Sequence, residues 1–274
     1  MNCKRILTIQ DISCVGQCSM TVAMPILSAC GHETCILPTA ILSTHTGGFG
    51  KPAVVHLDDA LEGMWRHWQE KEITFDAIYT GYLGSVCAVK AAEEIADHLL
   101  APGGKLIVDP AMADHGKRYS GLDEAYAEAM AALCTKADIL LPNVTEAAML
   151  TEQEYIAEPG EDQVQKLLSL LPQKTVVLTG VGYEPGATGV ALREGTRFAH
   201  ISHRKVERSF HGTGDIFAAA FVGALMWEKN LEQSVQIAAD YVLRCIERTV
   251  QAPAHWYGVR FEAELEHLIR MVKE

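Results

Sequence analysis

Although the 274-residue chain has eight cysteines, no two of them are in a Cys-x-x-Cys arrangement. Cys3, Cys14, Cys18, Cys30, Cys35, Cys87, Cys134 and Cys245 are scattered, and a chain of this size needs no disulfide staples. Reduced, buried thiols are expected. Positive charge is also scarce, with 23 Lys plus Arg against 35 Asp plus Glu and a formal net charge of -12. Long-range attraction for a polyanion is therefore weak, which argues against nucleic acid as a partner. A nucleotide is not excluded, because a few amides, a metal ion and a helix end neutralise a triphosphate locally. Met1 to Gln10 lacks the basic region and long apolar run of a signal peptide, and no segment reaches membrane-spanning length. A cytoplasmic protein without a membrane partner is expected. No low-complexity linker or repeat divides the chain, so residues 1–274 are read as one domain.

Hydrophobic residues make up 49% of the chain, ample for a large core. Short apolar runs at Arg5 to Gln10, Glu33 to Leu37, Asp76 to Thr80, Lys105 to Asp109, Asp138 to Leu141 and Thr175 to Thr179 read as buried parallel strands. Between them, Asp58 to Lys71, Val86 to Leu100 and Leu122 to Cys134 place apolar residues at helical spacing. The alternation predicts an α/β fold, a doubly wound, mostly parallel sheet flanked by helices on both faces. Thr188 to Arg193 and Thr196 to Ile201 flank Glu194 and Gly195, which predicts an antiparallel hairpin at the sheet edge, followed by three helices.

Ligands of open α/β sheets sit beyond the carboxyl ends of the strands. There the sequence places Asp11, Thr46, Gly81 with Tyr82, Asp109 with Asp114, Asn143 with Glu146, and Thr179 with Gly180. Taken singly, each is an ordinary turn or cap residue. The most informative segment is Gly212-Thr213-Gly214-Asp215, which opens an apolar helix containing Ile216, Phe217, Ala220, Phe221, Ala224 and Leu225. Glycines at a helix start let backbone N–H groups approach a phosphate, and the helix dipole favours the charge that phosphoryl transfer develops. Asp215 is placed to orient and deprotonate an attacking hydroxyl. The alternative is a plain helix start capped by the Thr213 or Asp215 side chain. Gly47-Gly48-Phe49-Gly50-Lys51 imitates a P-loop but continues with Pro52 and does not join a strand to a helix, so it reads as a mobile glycine-rich loop.

With these landmarks the chain resembles the pyridoxal kinase family of the ribokinase-like superfamily, nearly end to end. The resemblance is carried by Ile9-Gln10, Ser43-Thr44-His45-Thr46-Gly47, Thr80-Gly81-Tyr82, Val108-Asp109-Pro110-Ala111-Met112, Leu141-Pro142-Asn143 with Glu146, Arg204-Lys205-Val206 and Gly212-Thr213-Gly214-Asp215. It implies a ribokinase-like fold with Asp215 as catalytic base and Gly212, Thr213 and Gly214 as the anion hole. It further implies substrate contacts from Asp11, Ser13, His45, Thr46 and Tyr82. ATP would meet Asp109, Asp114, Asn143, Glu146 and Thr179, with magnesium near Glu146 and Asp109, a monovalent cation such as K+, and a homodimer. The chain departs from the family in having Asp11 where the family has serine, with Ser13 two residues on. An anionic acceptor there favours a ring that presents a donor or positive charge. Thr44 replaces the usual asparagine, and Gly48 displaces the aromatic residue to Phe49.

Other residues read more simply. His200, His203 and His211 lack a metal-ligand pattern and are expected at the surface, while His45 fits a structural hydrogen bond as well as a substrate contact. Trp65 and Trp68 read as core or interface residues, the Leu231 to Ile246 stripe as sheet packing, and Tyr119 to Ala132 as an exposed helix. The expected activity is ATP-dependent phosphorylation of the 5′-hydroxymethyl of pyridoxal, pyridoxine or pyridoxamine. The rivals are a hydroxymethylpyrimidine or sugar kinase on the same scaffold, and a B6-binding protein without catalysis.

Overall fold

Alternating strand and helix signals become a single nine-stranded sheet in the computed structural model, which describes residues 3–208, 210–252 and 254–274. The strands are β1 (Arg5–Ser13), β2 (Glu33–Leu42), β3 (Val54–His56), β4 (Phe75–Thr80), β5 (Leu100–Val108), β8 (Ile139–Leu140), β9 (Thr175–Thr179), β10 (Ala187–Glu194) and β11 (Arg197–Arg204). A separate two-stranded ribbon joins β6 (Ala113–Asp114) to β7 (Lys117–Arg118). The main order is β11-β10-β9-β8-β5-β4-β1-β2-β3. Neighbours from β2 across to β9 pair in parallel, whereas β3, β10 and β11 add antiparallel edges. The predicted hairpin is β10–β11, at the sheet edge.

Helices α2 (Asp58–Glu70), α3 (Val86–Leu99), α4 (Glu124–Lys136), α5 (Val144–Leu150) and α6 (Glu161–Leu170) share one apolar core. On the opposite face, α1 (Met20–Ala29), α7 (Thr213–Leu225), α8 (Leu231–Val250) and α9 (Leu265–Lys273) share the other. The strands between these layers are near-continuous Val, Ile and Leu because both their faces are covered. The chain leaves β1 for β2 on one side and returns to β4 on the other. This reversal puts a crevice at the carboxyl ends of β1, β4 and β5.

Several expectations are corrected. β1 continues past Gln10 to Ser13 through a register shift, so Asp11 and Ser13 lie inside the strand. Bulges defeat a strict two-residue alternation. The Tyr119 to Ala132 helix begins later, after the Asp123 cap, and is not exposed all round, since Tyr126 and Met130 are buried. Among the cysteines, Cys3, Cys14 and Cys87 are exposed, although all eight are free. Trp65 is buried, and Trp68 packs edge-on against Phe75. No helix among the described residues is long and apolar enough to cross a membrane.

Candidate functional site

The first turn of α7 begins with Gly212 in the left-handed region, at φ 81 and ψ 1, and no side chain caps it. That geometry disposes of the reading in which Thr213 or Asp215 caps the helix. Gly212 is required twice over, because a Cβ there would strain the backbone and stand 2.0 Å from the Gln17 carbonyl oxygen. At Gly214 a Cβ would meet nothing within 4 Å, so the space beside the uncapped amides is open. Thr213 turns its hydroxyl toward the Phe210 carbonyl at 3.5 Å.

Asp215 is half-buried at this helix start. Burial pushes its carboxyl up to about 6, opposed by the Ser19 backbone N–H and reinforced by the charge of Asp11. Asp11 is itself buried in β1, where its carboxylate accepts a hydrogen bond from the Ser13 hydroxyl at 3.2 Å. Burial raises it, while the Ser19 and Ser13 hydroxyls hold it back. Asp11 does not cap α1, whose N-cap residue is Ser19. The Asp11 amide donates to the Tyr82 carbonyl at 3.1 Å, joining two expected ring-contact residues. Burial and then Asp11 raise the Tyr82 hydroxyl.

Asp109, just beyond β5, is held well above the usual carboxylate range by burial and then by Glu146 and Asp215. One of its oxygens, Oδ1, accepts the Ala111 N–H at 3.1 Å. Glu146 is buried and spends both oxygens on backbone: Oε1 accepts from Met112 at 2.9 Å and from Ala113 at 3.4 Å, and Oε2 accepts from Asn143 at 2.9 Å. Burial pushes it up to about 7 despite these donors. Asn143 caps α5 and donates its amide to the Ala113 carbonyl at 2.8 Å. Thr179 forms an isolated bridge with Asn143. Asp114 is exposed in the ribbon, accepting from the His115 amide at 2.8 Å.

Thr46 is exposed, on the loop after β2. In the same loop His45 accepts the Gly47 N–H at 3.1 Å through Nδ1, the structural role weighed for it, and tilts against His211 with ring centroids 5.1 Å apart. Burial and then His211 lower His45. Phe49 packs on Trp256 and Tyr257, at 4.6 and 5.2 Å between centroids, so the glycine-rich loop is anchored against the segment after α8.

Sequence reasoning missed the backbone of this site. Ser19 at φ 50 and Ala111 at φ 39 are non-glycine residues in the left-handed region, a strain that clusters at functional sites. Only the run Gly16-Gln17-Cys18-Ser19, short on large apolar side chains, hinted at the first of them. Asp11, Asp109, Glu146 and Asp215 form no salt bridge with Lys or Arg among the described residues. Buried carboxylates lacking protein cations suit a ligand that brings its own cations. Hard oxygen donors fit magnesium, with Asp109 able to offer its second oxygen and Glu146 already engaged. No group of three His, Cys, Asp or Glu among the described residues is placed to hold a metal ion by itself.

Residues 27–259 match the phosphomethylpyrimidine kinase family. A hydroxymethylpyrimidine/phosphomethylpyrimidine kinase of Bacillus subtilis is 28% identical over 64% of this chain, which spans only 65% of that relative's length. A Bacteroides thetaiotaomicron crystal structure containing pyridoxal, described as a phosphomethylpyrimidine kinase, is 32% identical, with a TM-score of 0.90 over 97% of this chain and 96% of its own. The pyridoxal kinase of Lactobacillus plantarum is 31% identical, again with a TM-score of 0.90, covering 98% of this chain and 97% of its own.

Proposed function

The chain belongs to the phosphomethylpyrimidine and pyridoxal kinase family of alcohol-acceptor kinases, and from that premise we propose that it moves the γ-phosphoryl group of ATP to the 5′-hydroxymethyl of a vitamin B6 vitamer. The observation that carries this reading is the uncapped, glycine-opened start of α7 with Asp215 in its first turn, at the carboxyl edge of the sheet. The likeness to a structure containing pyridoxal supports the B6 ring over a sugar.

In this account the hydroxymethyl oxygen attacks the γ-phosphorus in line, its proton passes to Asp215, and the bond to the β,γ-bridging oxygen breaks to release ADP. Asp215 takes that proton most readily when ionised, above about pH 6. The amides of Gly212, Thr213 and Gly214 receive the developing charge on the equatorial oxygens. Magnesium, when bound, neutralises phosphate charge; Asp109 would hold it directly and Glu146 through water. Asp11, Ser13, His45, Thr46 and Tyr82 would surround the ring, and Asp114, Asn143 and Thr179 would line the nucleotide side. We further propose a homodimer; the edge strand β3, with Val54 and Val55 exposed, offers an apolar surface for it, and light scattering tests it.

A side-by-side assay of ATP consumption with pyridoxal, pyridoxine, pyridoxamine and hydroxymethylpyrimidine tests the substrate. Turnover of at least one B6 vitamer above the pyrimidine is expected. Preference for hydroxymethylpyrimidine would assign the second reading, favoured by the Bacillus relative, and no consumption with any of them would leave a binding protein.

A further inference from the structure

Phe49, on the loop after β2, lies against two rings of the segment between α8 and α9, and those two rings, Trp256 and Tyr257, pack edge-on at 5.2 Å. Gly48 makes the contact closer still. Its φ is +83, and a Cβ there would stand 2.9 Å from the Trp256 indole, so glycine lets the indole lie against the loop backbone. At its other end the same loop is held beside the start of α7. A Cβ on Gly47 would stand 2.6 Å from His211 Nε2, the His45 ring tilts against His211 at 5.1 Å, and the His45 N–H donates to the Val15 carbonyl at 2.8 Å. Thr46 therefore lies on a span fixed at one end against the residue that precedes Gly212 and at the other on Trp256.

The segment that carries Trp256 is tied down in turn. Gln17 Nε2 donates to Glu262 at 2.7 Å, which leaves Gln17 Oε1 as the acceptor for His255 Nε2 at 3.0 Å. A Cβ on Gly258 would stand 2.6 Å from the Gln17 side chain, and the Gln17 carbonyl is the group for which Gly212 makes room. Arg208 donates to the His255 carbonyl at 3.3 Å. Residues 255–258 thus touch the loop after β1, the loop after β2 and the segment entering α7. Core packing does not account for Trp256, which keeps 56% of its surface exposed. A loop holding Gly47, Gly48 and Gly50 loses much conformational freedom when it is ordered. Ring contacts from Phe49 to a firmly tied segment offset part of that cost.

We propose that Trp256 is a positioning residue for the alcohol substrate: through Phe49 and Gly48 it holds the glycine-rich loop where Thr46 meets the ring, and so contributes to affinity for the alcohol and not for ATP. The inference rests on the reading of that loop as the ring side of the site. Trp256→Ala is expected to raise the Kd and KM of the preferred alcohol about tenfold. The KM for ATP should stay unchanged, and so should kcat, because only binding common to ground and transition states is lost. Tm should also hold, since the indole is largely in solvent. In a Phe49→Ala background the effect of Trp256→Ala should shrink below about threefold, because residues acting through one another are non-additive. An unchanged Kd for the alcohol, an equal rise in both KM values, or an undiminished effect in the Phe49→Ala background overturns the proposal. Should Trp256→Ala fail to fold, Phe49→Leu, which withdraws the loop's ring from the same contact, is read instead, with a raised Kd for the alcohol expected and an unchanged one overturning it. Wild-type protein that binds hydroxymethylpyrimidine and no B6 vitamer brings down the B6 reading alone, and the same comparison is then made with that pyrimidine. Binding of neither alcohol by the wild type overturns both.

Discussion

Asn143 and Glu146 hold each other reciprocally across the first turn of α5: Asn143 Oδ1 accepts the Glu146 N–H at 3.0 Å, and Glu146 Oε2 accepts the Asn143 N–H at 2.9 Å. The other oxygen of Glu146 reaches across to Met112 and Ala113, so one carboxylate ties the loop after β5 to the helix after β8. Glu146→Gln would turn an amide donor toward a backbone donor. A loss of about 1–3 kcal/mol is expected, read as a Tm lowered by several degrees. Measured below that transition, the magnesium concentration at half-maximal rate should rise if Glu146 also serves the ion. A lowered Tm with an unchanged magnesium titration would restrict Glu146 to its cap.

The two glycines of the α7 start should behave differently. Gly212→Ala places a Cβ against the Gln17 carbonyl at a positive φ, so both stability and activity fall. Gly214→Ala meets no protein atom and should keep the wild-type Tm while raising the KM for ATP. Wild-type kinetics for Gly214→Ala would remove the open space beside it from the nucleotide site.

The pH dependence of kcat/KM follows from Asp215, whose folded-state carboxyl is raised to about 6. Activity should climb as pH rises through that value. Stability runs the opposite way, because a carboxyl raised by burial favours folding most when protonated, and that contribution is lost as pH rises from its ordinary value through about 6. Asp215→Asn should therefore be more stable than wild type at pH 8 and lose that advantage at pH 4. Urea denaturation of both proteins at the two pH values checks this. An advantage that does not change with pH would contradict the buried-acid assignment.

Asp11 is the residue most at odds with the resemblance, and its carboxylate faces the Ser13 and Ser19 hydroxyls without capping α1. Asp11→Ser should move the ratio of kcat/KM values toward pyridoxal and pyridoxine and away from pyridoxamine, by about tenfold if roughly 1.4 kcal/mol of differential binding is lost. Equal ratios for the two proteins would take Asp11 out of substrate discrimination.

The strands were legible because burial on both faces leaves a continuous apolar signature; Thr175 to Thr179 is found at its predicted bounds. Less legible were features set by single backbone bonds. The register shift within β1 carries Asp11 into the strand, and the three-residue β3 and the two-residue β6 and β7 are too short to stand out from their flanks. Asp109 and Glu146 were readable as polar residues following strands, since topology gathers such positions at one edge, and Asp215 was readable from the glycine-opened helix start at Gly212. The floor of the site was not. Thr8, Gln10 and Tyr79 are ordinary strand residues in sequence, and only the register of three strands sets them on the sheet face they share with Asp109.

Single-turnover phosphoryl transfer by Asp215→Asn, with ATP and vitamer binding measured in parallel, tests the central assignment most directly. The side chain keeps its size but loses its basic oxygen, so a loss of about a hundredfold or more in the transfer rate is predicted with binding largely retained. A loss of less than about tenfold, with both ligands still bound, would contradict Asp215 as the group that accepts the hydroxyl proton.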